Sequence, residues 1–319
     1  MSKITVIRSA LEMSTVRALW ESLYRGGRYT IFQKYLWNLL AISAFSSRQR
    51  PWVICAEASY GAAIVPAGLC RQINILKLLG EELFDYRSFL HSGDDEVLRT
   101  ALAELAPLTA PLEIVAVRNN DLLPIFDELG IERFSAAPAV HHSDVSSDDF
   151  AVRHGRLGRN LRRLARLGFE LKLHHGDNSR LLRSIYRHKA EQHPCSLFRD
   201  PLRIDFLVNA AAVEPKTFEI FTLECGPHLG AALVTLRDRG FRRFYTVWFD
   251  AALQKHSPGT TLIYEVTRQS LAAGLDCDYM TGEQGHKARL ATRVEPLYRI
   301  AASSRQLAAL GSSYLRQIA

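Results

Sequence analysis

Between Tyr245 and Lys287 the chain carries residue types that can hold an anion and move a proton. The loop Gln254-Lys255-His256-Ser257-Pro258-Gly259-Thr260-Thr261 joins an aromatic, β-branched run to an amphipathic one. It therefore reads as a helix entry, with Ser257 as the N-cap candidate and Pro258 at the first helical position, where its missing N–H costs nothing. Unpaired backbone N–H groups and the helix dipole make such an entry attractive to phosphate. Gly259 permits close backbone approach, Ser257, Thr260 and Thr261 bring hydroxyls, and Lys255 and His256 bring positive charge. The same Ser-Pro-Gly pattern also serves as an ordinary cap, so residue types alone leave both readings open. Downstream, Asp278, Glu283 and His286 can accept a proton, Lys287 can neutralise an anion, and Tyr245 can donate a proton. Plainer roles are equally open: Asp278 can cap a turn, Glu283 and Lys287 can pair at i,i+4, and His286 can be a solvated side chain.

Metal chemistry finds no support. His188 and His193 flank Glu191, but five residues apart they do not share a helix face, and His174-His175-Gly176-Asp177 reads as a strand-to-helix turn. The five cysteines are odd in number and scattered without a C-x-x-C, which signals neither a disulfide framework nor zinc.

The elements that must position these groups follow from periodicity. Phe218 to Glu224, Leu229 to Arg237 and Phe241 to Phe249 read as three strands joined by Gly226-Pro227 and Asp238-Arg239-Gly240 turns. A helix follows from Pro258, with Leu262, Ile263, Val266 and Ala273 on one side and Gly274 at C′, and then a strand from Asp276 to Met280. The first half repeats this grammar with Trp52 to Glu57, Ala62 to Leu69, Ile73 to Leu79, a helix from Asp94 to Leu105 and a strand from Leu112 to Val117. A helix from Asp121 to Leu129, ended by Gly130, is expected next. The polar stretch from His142 to Asp149 then marks a boundary, predicting units 1–148 and 149–319. Helices are also expected over Met13 to Tyr24, Thr30 to Ala44, Leu181 to His193 and Ser304 to Ile318, and a closing strand over Leu297 to Ala301. The fold class is α/β (α+β).

At 319 residues, 47% hydrophobic and 23% charged, the chain has the composition of a globular protein and not of a disordered one. The run after Met1 is too short for a signal peptide and no uncharged stretch reaches membrane-helix length, so cytoplasm is expected and membrane insertion is not. A net charge of +7, carried mostly by arginine, points to an anionic partner. Its densest stretch is Arg153 through Arg166, where Leu157, Leu161 and Leu164 keep helical spacing and Arg156, Arg159, Arg162 and Arg163 take the other faces. Such a face can bind phosphates bidentately, or be solvated or paired with carboxylates. Nothing in the sequence speaks to oligomeric state.

Strand, Gln254-x-x-Ser257-x-Gly259, helix and strand together resemble the pyrophosphate site of GNAT-type N-acyltransferases, whose loop is written [QR]-x-x-G-x-[GA]; Ser257 replaces its first glycine. The run Asp278 to Lys287 resembles the D-[FL]-x-x-G-[DE]-E-x-Y-K run of the CelD/BcsL acetyltransferases, a FemAB-like group linked to bacterial polysaccharide synthesis. Asp278, Gly282, Glu283 and Lys287 agree, while Gln284 stands for an acid and His286 for a tyrosine. Asp85-Tyr86 and an arginine-rich helix before the second unit also occur in that group. The resemblance implies two tandem GNAT-like units, each a mixed, mostly antiparallel sheet flanked by helices. It implies acetyl-CoA or another acyl-CoA as donor, held by Val247 and the run Gln254 to Thr261, with a backbone N–H from Tyr245 to Trp248 facing the thioester. Glu283, Asp278, His286 and Tyr245 would carry the proton chemistry, and Asp85, Tyr86, Lys287, Arg159 and Arg163 would bind the substrate. The acceptor implied is a small-molecule amine, anionic or sugar-linked, attacked directly in a ternary complex. Two other classes stay open. One is a FemAB-type transferase that uses aminoacyl-tRNA and binds nucleic acid through Arg159 to Arg166; the other is a non-catalytic GNAT-fold binding or regulatory protein.

Overall fold

Turn signals between β-branched runs close into antiparallel hairpins in both halves of the chain. The computed structural model gathers them into two units, residues 1–135 with 296–319 and residues 136–295. It describes residues 2–317 apart from 122 and 177, so Asp177 of the expected turn and Ile318 of the expected last helix lie outside the described residues.

In the first unit β1 (Lys3–Ile7) precedes α1 (Arg17–Gly26) and α2 (Tyr35–Phe45). Then come β2 (Gln49–Ala58), β3 (Gly61–Cys70), β4 (Ile75–Leu78), β5 (Leu90–Gly93), α3 (Asp95–Ala103) and β6 (Leu112–Arg118). Within the sheet β1, β2, β3 and β4 pair antiparallel in turn, β4 pairs parallel with β6, and β5 adds to β3. Val97, Leu98, Ala101 and Leu102 of α3 pack on Ile54, Ala56, Val65 and Ala67 of the hairpin, all fully buried. The stretch expected as one helix from Thr30 to Ala44 is a 3-10 turn, Ile31–Gln33, followed by α2, and its aromatic residues pack inward: the Trp37 ring lies 5.6 Å from Phe32 and 5.8 Å from Phe84.

The chain enters the second unit along β7 (Gly130–Val140) and continues through α4 (Ser147–Arg153), α5 (Gly155–Arg166), β8 (Glu170–His174), α6 (Ser179–Gln192) and α7 (Pro201–Val213). The strands β9 (Phe218–Cys225), β10 (His228–Asp238) and β11 (Phe241–Phe249) follow, then α8 (Pro258–Ala272), β12 (Asp276–Asp278) and α9 (Gly285–Leu290). β8, β9, β10 and β11 pair antiparallel in turn, β11 pairs parallel with β12, and β12 pairs antiparallel with β7. The chain then returns to the first unit, where β13 (Arg293–Ala302) pairs antiparallel with β6 before α10 (Ser304–Gln317). The two units thus share one order of pairing, three antiparallel contacts, one parallel and one antiparallel, the tandem arrangement expected.

Two expectations change. The boundary falls at 135/136, not in the polar stretch, and residues 296–319 belong to the first unit. Strand pairing decides this: Val140 faces Cys277 and Ala139 faces Asp278, while Leu297 to Ala302 pair along β6. The polar residues are tied into the second unit, with His141 and His142 both bonded to Asp276, at 3.0 and 2.7 Å, and Ser146 capping α4. The helix expected over Asp121 to Leu129 is instead a pair of 3-10 turns, and Gly130 opens β7 rather than closing a helix. Pro124 supplies no N–H to a helix there, and Pro138 inside β7 hides that strand from a reading by propensity.

Candidate functional site

Helix α8 begins in the way its sequence suggests, with one difference that matters. Ser257 occupies the N-cap position, but its backbone is left-handed, at φ 49° and ψ 52°, and its side chain caps nothing. Left-handed φ favours glycine, which explains why a glycine suits this position and shows that serine can keep the same turn. The first intrahelical bond runs from Thr261 N–H to the Ser257 carbonyl at 2.9 Å, leaving the N–H groups of Gly259 and Thr260 ahead of it. Gly259 is needed for contact: a Cβ there would stand 3.0 Å from Phe249 and 3.3 Å from Val247. Ser257 and Thr260 face a cleft. Thr261 does not offer its hydroxyl outward; it is buried and donates to the His256 carbonyl at 3.3 Å. Gln254 and Lys255 are exposed on the 3-10 turn Ala251–His256.

The cleft has a volume of about 440 Å³ and brings together the starts of α5 and α8 with α9. Arg153, His154, Arg156, Leu157 and Asn160 line one wall, Ser257 and Thr260 the floor, and His286, Arg289 and Leu290 the other. Leu157, Leu161 and Leu164 pack α5 onto the core that includes α8. At Gly158 a Cβ would lie 3.2 Å from the Tyr264 hydroxyl, so the two helices meet closely. Neither Arg153, Arg156 nor Arg289 pairs with a carboxylate among the described residues. Burial, with Arg153 beside it, holds the His154 pKa below the usual imidazole range, and burial, with Lys287 and Arg289, does the same to His286. Both rings are therefore neutral near pH 7 and can donate one hydrogen bond each. The lining holds three guanidinium groups and no carboxylate, a set suited to a phosphorylated ligand.

β11 lies behind this cleft and carries a bulge. Val234 faces Thr246 while Thr235 faces Phe244, so Tyr245 is the extra residue. Its parallel pairing with β12 covers only Phe241↔Asp276, Arg242↔Cys277 and Arg243↔Asp278, and β11 then runs on from Phe244 to Phe249. The sheet opens at that point. Val247 and Phe249 turn toward Gly259, and the alternation of a strand turns Trp248 the other way, where it stacks on His188 at 4.9 Å.

The expected residues divide. Asp278 is buried in an ion-pair chain, bonded to Arg243, which also holds Asp238 at 2.7 Å, and it accepts the Met280 N–H at 2.8 Å. These contacts give it a structural task at the end of β12. Glu283 is exposed in the loop after β12. Lys287 donates to the Thr281 carbonyl at 2.7 Å and braces that same loop. Tyr86 is a buried member of the first unit's aromatic cluster, 6.3 Å from Phe32, with half-buried Asp85 beside it. Arg159 and Arg163 are exposed on α5, farther along than the cleft residues. Within the arginine-rich run it is Arg153, His154 and Arg156, joined by Arg289 of α9, and not Arg159 and Arg163, that line the cleft. Their signal, the arginine-rich run, was legible, but which of its residues lie beside Ser257 depends on how α5 packs on α8.

Residues 151–288 match the acetyltransferase (GNAT) domain family. That GNAT domain includes all of the cleft lining except Arg289 and Leu290. No curated protein sequence matches the chain. Solved structures share its architecture across nearly the full length. The C-terminal domain of a candidate lysylphosphatidylglycerol synthetase from Agrobacterium fabrum has 12% identity and a TM-score of 0.60, over 96% of this chain and 97% of its own. FemX has 11% identity and a TM-score of 0.59, over 97% and 99%. A tandem GNAT protein from the clavulanic acid biosynthesis pathway has 10% identity and a TM-score of 0.55, over 95% and 99%. At these identities the likeness establishes the fold, a tandem GNAT arrangement. Among the described residues there is no cluster of metal-ligating side chains and no helix long and apolar enough to cross a membrane.

Proposed function

We propose that the GNAT domain transfers an acyl group from an acyl-CoA, acetyl-CoA in the simplest case, to a primary amine by direct attack in a ternary complex. One observation carries the donor assignment: the uncapped N-terminus of α8 is ringed by Arg153, Arg156 and Arg289, which have no carboxylate partners among the described residues. Helix N–H groups and guanidinium forks are the donors a pyrophosphate needs. In this reading Ser257 to Thr260 and the three arginines hold the pyrophosphate of the substrate, and the pantetheine arm enters the sheet opening beside Val247. A backbone N–H between Tyr245 and Trp248 polarises the thioester carbonyl.

An amine of lysine-like pKa, ~10.4, arrives protonated and must lose one proton before it can attack. Glu283, directly or through water, is the proposed acceptor of that proton. The amine nitrogen then bonds to the carbonyl carbon, the carbon–sulfur bond breaks, and the thiolate leaves with the coenzyme. Tyr245 protonates the thiolate and is reprotonated by the second proton that the nitrogen gives up. The products are an amide, the free thiol and one proton released to solvent. Asp278, paired with Arg243 inside the sheet, takes no part in proton transfer in this scheme. The CelD/BcsL resemblance extends the proposal to a sugar-linked amine of polysaccharide or cell-envelope synthesis, handled in the cytoplasm, where acyl-CoA is made. Calorimetric titration with acetyl-CoA tests the donor: micromolar binding lost in Gly259→Asp supports it, and no binding to the unaltered protein sinks it.

A second reading has its own observation. Arg159, Arg162, Arg163 and Arg166 are exposed, also without carboxylate partners among the described residues, and offer a surface for the phosphates of aminoacyl-tRNA. Steeply salt-dependent tRNA binding without acetyl-CoA binding would favour it.

A further inference from the structure

On the face of β11 turned away from α8 lies a second cavity, of about 590 Å³. Leu181, Ser184 and His188 of α6 form one side; Trp248 and Asp250, at the end of β11, form another. The β9–β10 hairpin closes it with Glu224, His228 and their neighbours. Its electrostatic character is the reverse of the cleft's. The lining includes two carboxylates and no lysine or arginine. Burial pushes the Glu224 carboxyl up, but hydrogen bonds from Thr222 at 2.7 Å and Lys172 at 3.0 Å outweigh it and leave the pKa below the ordinary value. The Ala252 N–H, at 2.9 Å, and His228, at 2.8 Å, hold Asp250 below its ordinary value too. Both are anions at neutral pH; Glu224 also meets His174 Nε2 at 3.0 Å, and an ionised carboxylate has about four lone-pair directions, so Glu224 keeps one and Asp250 two beyond these partners. The Trp248 indole gives the cavity an aromatic wall beside them, a surface that favours cations.

Trp248 lines this cavity, while Val247 and Phe249, on the other face of the strand, pack against Gly259, the residue between Ser257 and Thr260 of the arginine cleft. We propose that this second cavity is the acceptor site, and that it takes a small polar molecule whose only charge is a protonated primary amine. An anionic donor then occupies the arginine cleft and a cationic acceptor the carboxylate pocket; Glu283 lines neither, so in this arrangement the ammonium's proton reaches it through water. This departs from the anionic acceptor allowed by the sequence. A phosphate group on the acceptor meets Glu224 and Asp250 as like charges; the lining itself holds no guanidinium or ammonium, and the Lys172 ammonium outside it is already bonded to Glu224 at 3.0 Å. The word acceptor rests on the acyl-transfer reading; amine binding does not.

The experiment reads binding without turnover. Trp248 is the one tryptophan outside the first unit, since Trp20, Trp37 and Trp52 all lie within it. Its fluorescence is followed while the whole protein is titrated with glucosamine, ethanolamine, N-acetylglucosamine and glucosamine 6-phosphate, with and without free coenzyme A. Expected is a saturable change with the two unphosphorylated amines and at least tenfold weaker binding of N-acetylglucosamine and of glucosamine 6-phosphate. Glu224→Gln should weaken amine binding at least tenfold while acetyl-CoA affinity holds, which also shows that the variant is folded. Trp248→Phe should remove the signal. No saturable change with either amine under either condition overturns the proposal, as does tighter binding of the phosphorylated sugar. Amine binding without any acetyl transfer would keep the pocket and remove the transferase reading; coenzyme binding without amine binding would do the opposite.

Discussion

Helices α3 and α8 each lie in the chain between two strands that pair parallel, β4 and β6 in the first unit, where β5 intervenes before α3, and β11 and β12 in the second. Their N-termini are finished differently. At α3 the Asp94 carboxylate accepts the Glu96 N–H at 2.9 Å, and Asp95 and Glu96 add two acids to the first turn. At α8 no side chain caps, the first turn has no acid, and three arginines stand nearby. One topology thus yields a terminus neutralised by its own residues and another left for an anion from outside. A helix N-terminus becomes a site when the chain withholds its own carboxylate and brings cations instead.

The strongest way to break this contrast is to give α8 a carboxylate of its own. Gly259→Asp also forces a Cβ against Phe249 and Val247, and coenzyme affinity should fall at least a hundredfold by calorimetry. Unchanged affinity would move the donor elsewhere. The two acids of the β12 region should separate next. Glu283→Gln should lower turnover by about a hundredfold or more with coenzyme affinity intact, as loss of a general base does. Asp278→Asn should instead lower stability, on the order of 3 kcal/mol in denaturant unfolding, because Arg243 loses a buried partner. Equal loss of turnover in two folded variants would contradict that division. Replacing Arg153 and Arg156 together by glutamine should weaken coenzyme about tenfold and flatten its salt dependence, whereas Arg159 and Arg163 replaced likewise should leave both unchanged.

At α3 the expected effect is one of stability alone. Asp94→Ala should cost about 1 kcal/mol without altering coenzyme affinity. The smallest effect concerns pH. His154 and His286 have depressed pKa values in the folded protein, so below about 6.5 the unfolded chain binds protons that the folded chain refuses. Stability should therefore fall as pH drops from 7 through that window. A His154→Asn, His286→Gln protein should show a shallower fall of Tm; the same slope in both would show that other groups set it.

Much of the framework was legible because it is local. Pro258 and Gly274 mark the ends of α8 at the first helical residue and just beyond its last turn, and hairpin turns at Gly226-Pro227 and Arg239-Gly240 separate the strands where expected. β7 was missed because half its residues are exposed and Pro138 interrupts its pattern, although pairing to β12 makes it a strand. The helical character of the arginine-rich run was clear from Leu157, Leu161 and Leu164. Its role was not, since all its arginines look alike until α5 is laid on α8.

The sequence by itself determined the helix entry at Ser257-Pro258-Gly259, the doubled order of strands and helix, and the excess of arginine. Each follows from turn chemistry, short-range periodicity or simple charge. Tertiary structure alone decided that Arg153, Arg156 and Arg289 converge on that entry, that Asp278 belongs to Arg243, and that carboxylates gather on the far face of β11. These depend on which apolar faces bury one another across long stretches of chain, as when Gly158 lets α5 approach Tyr264, and no local rule encodes that choice.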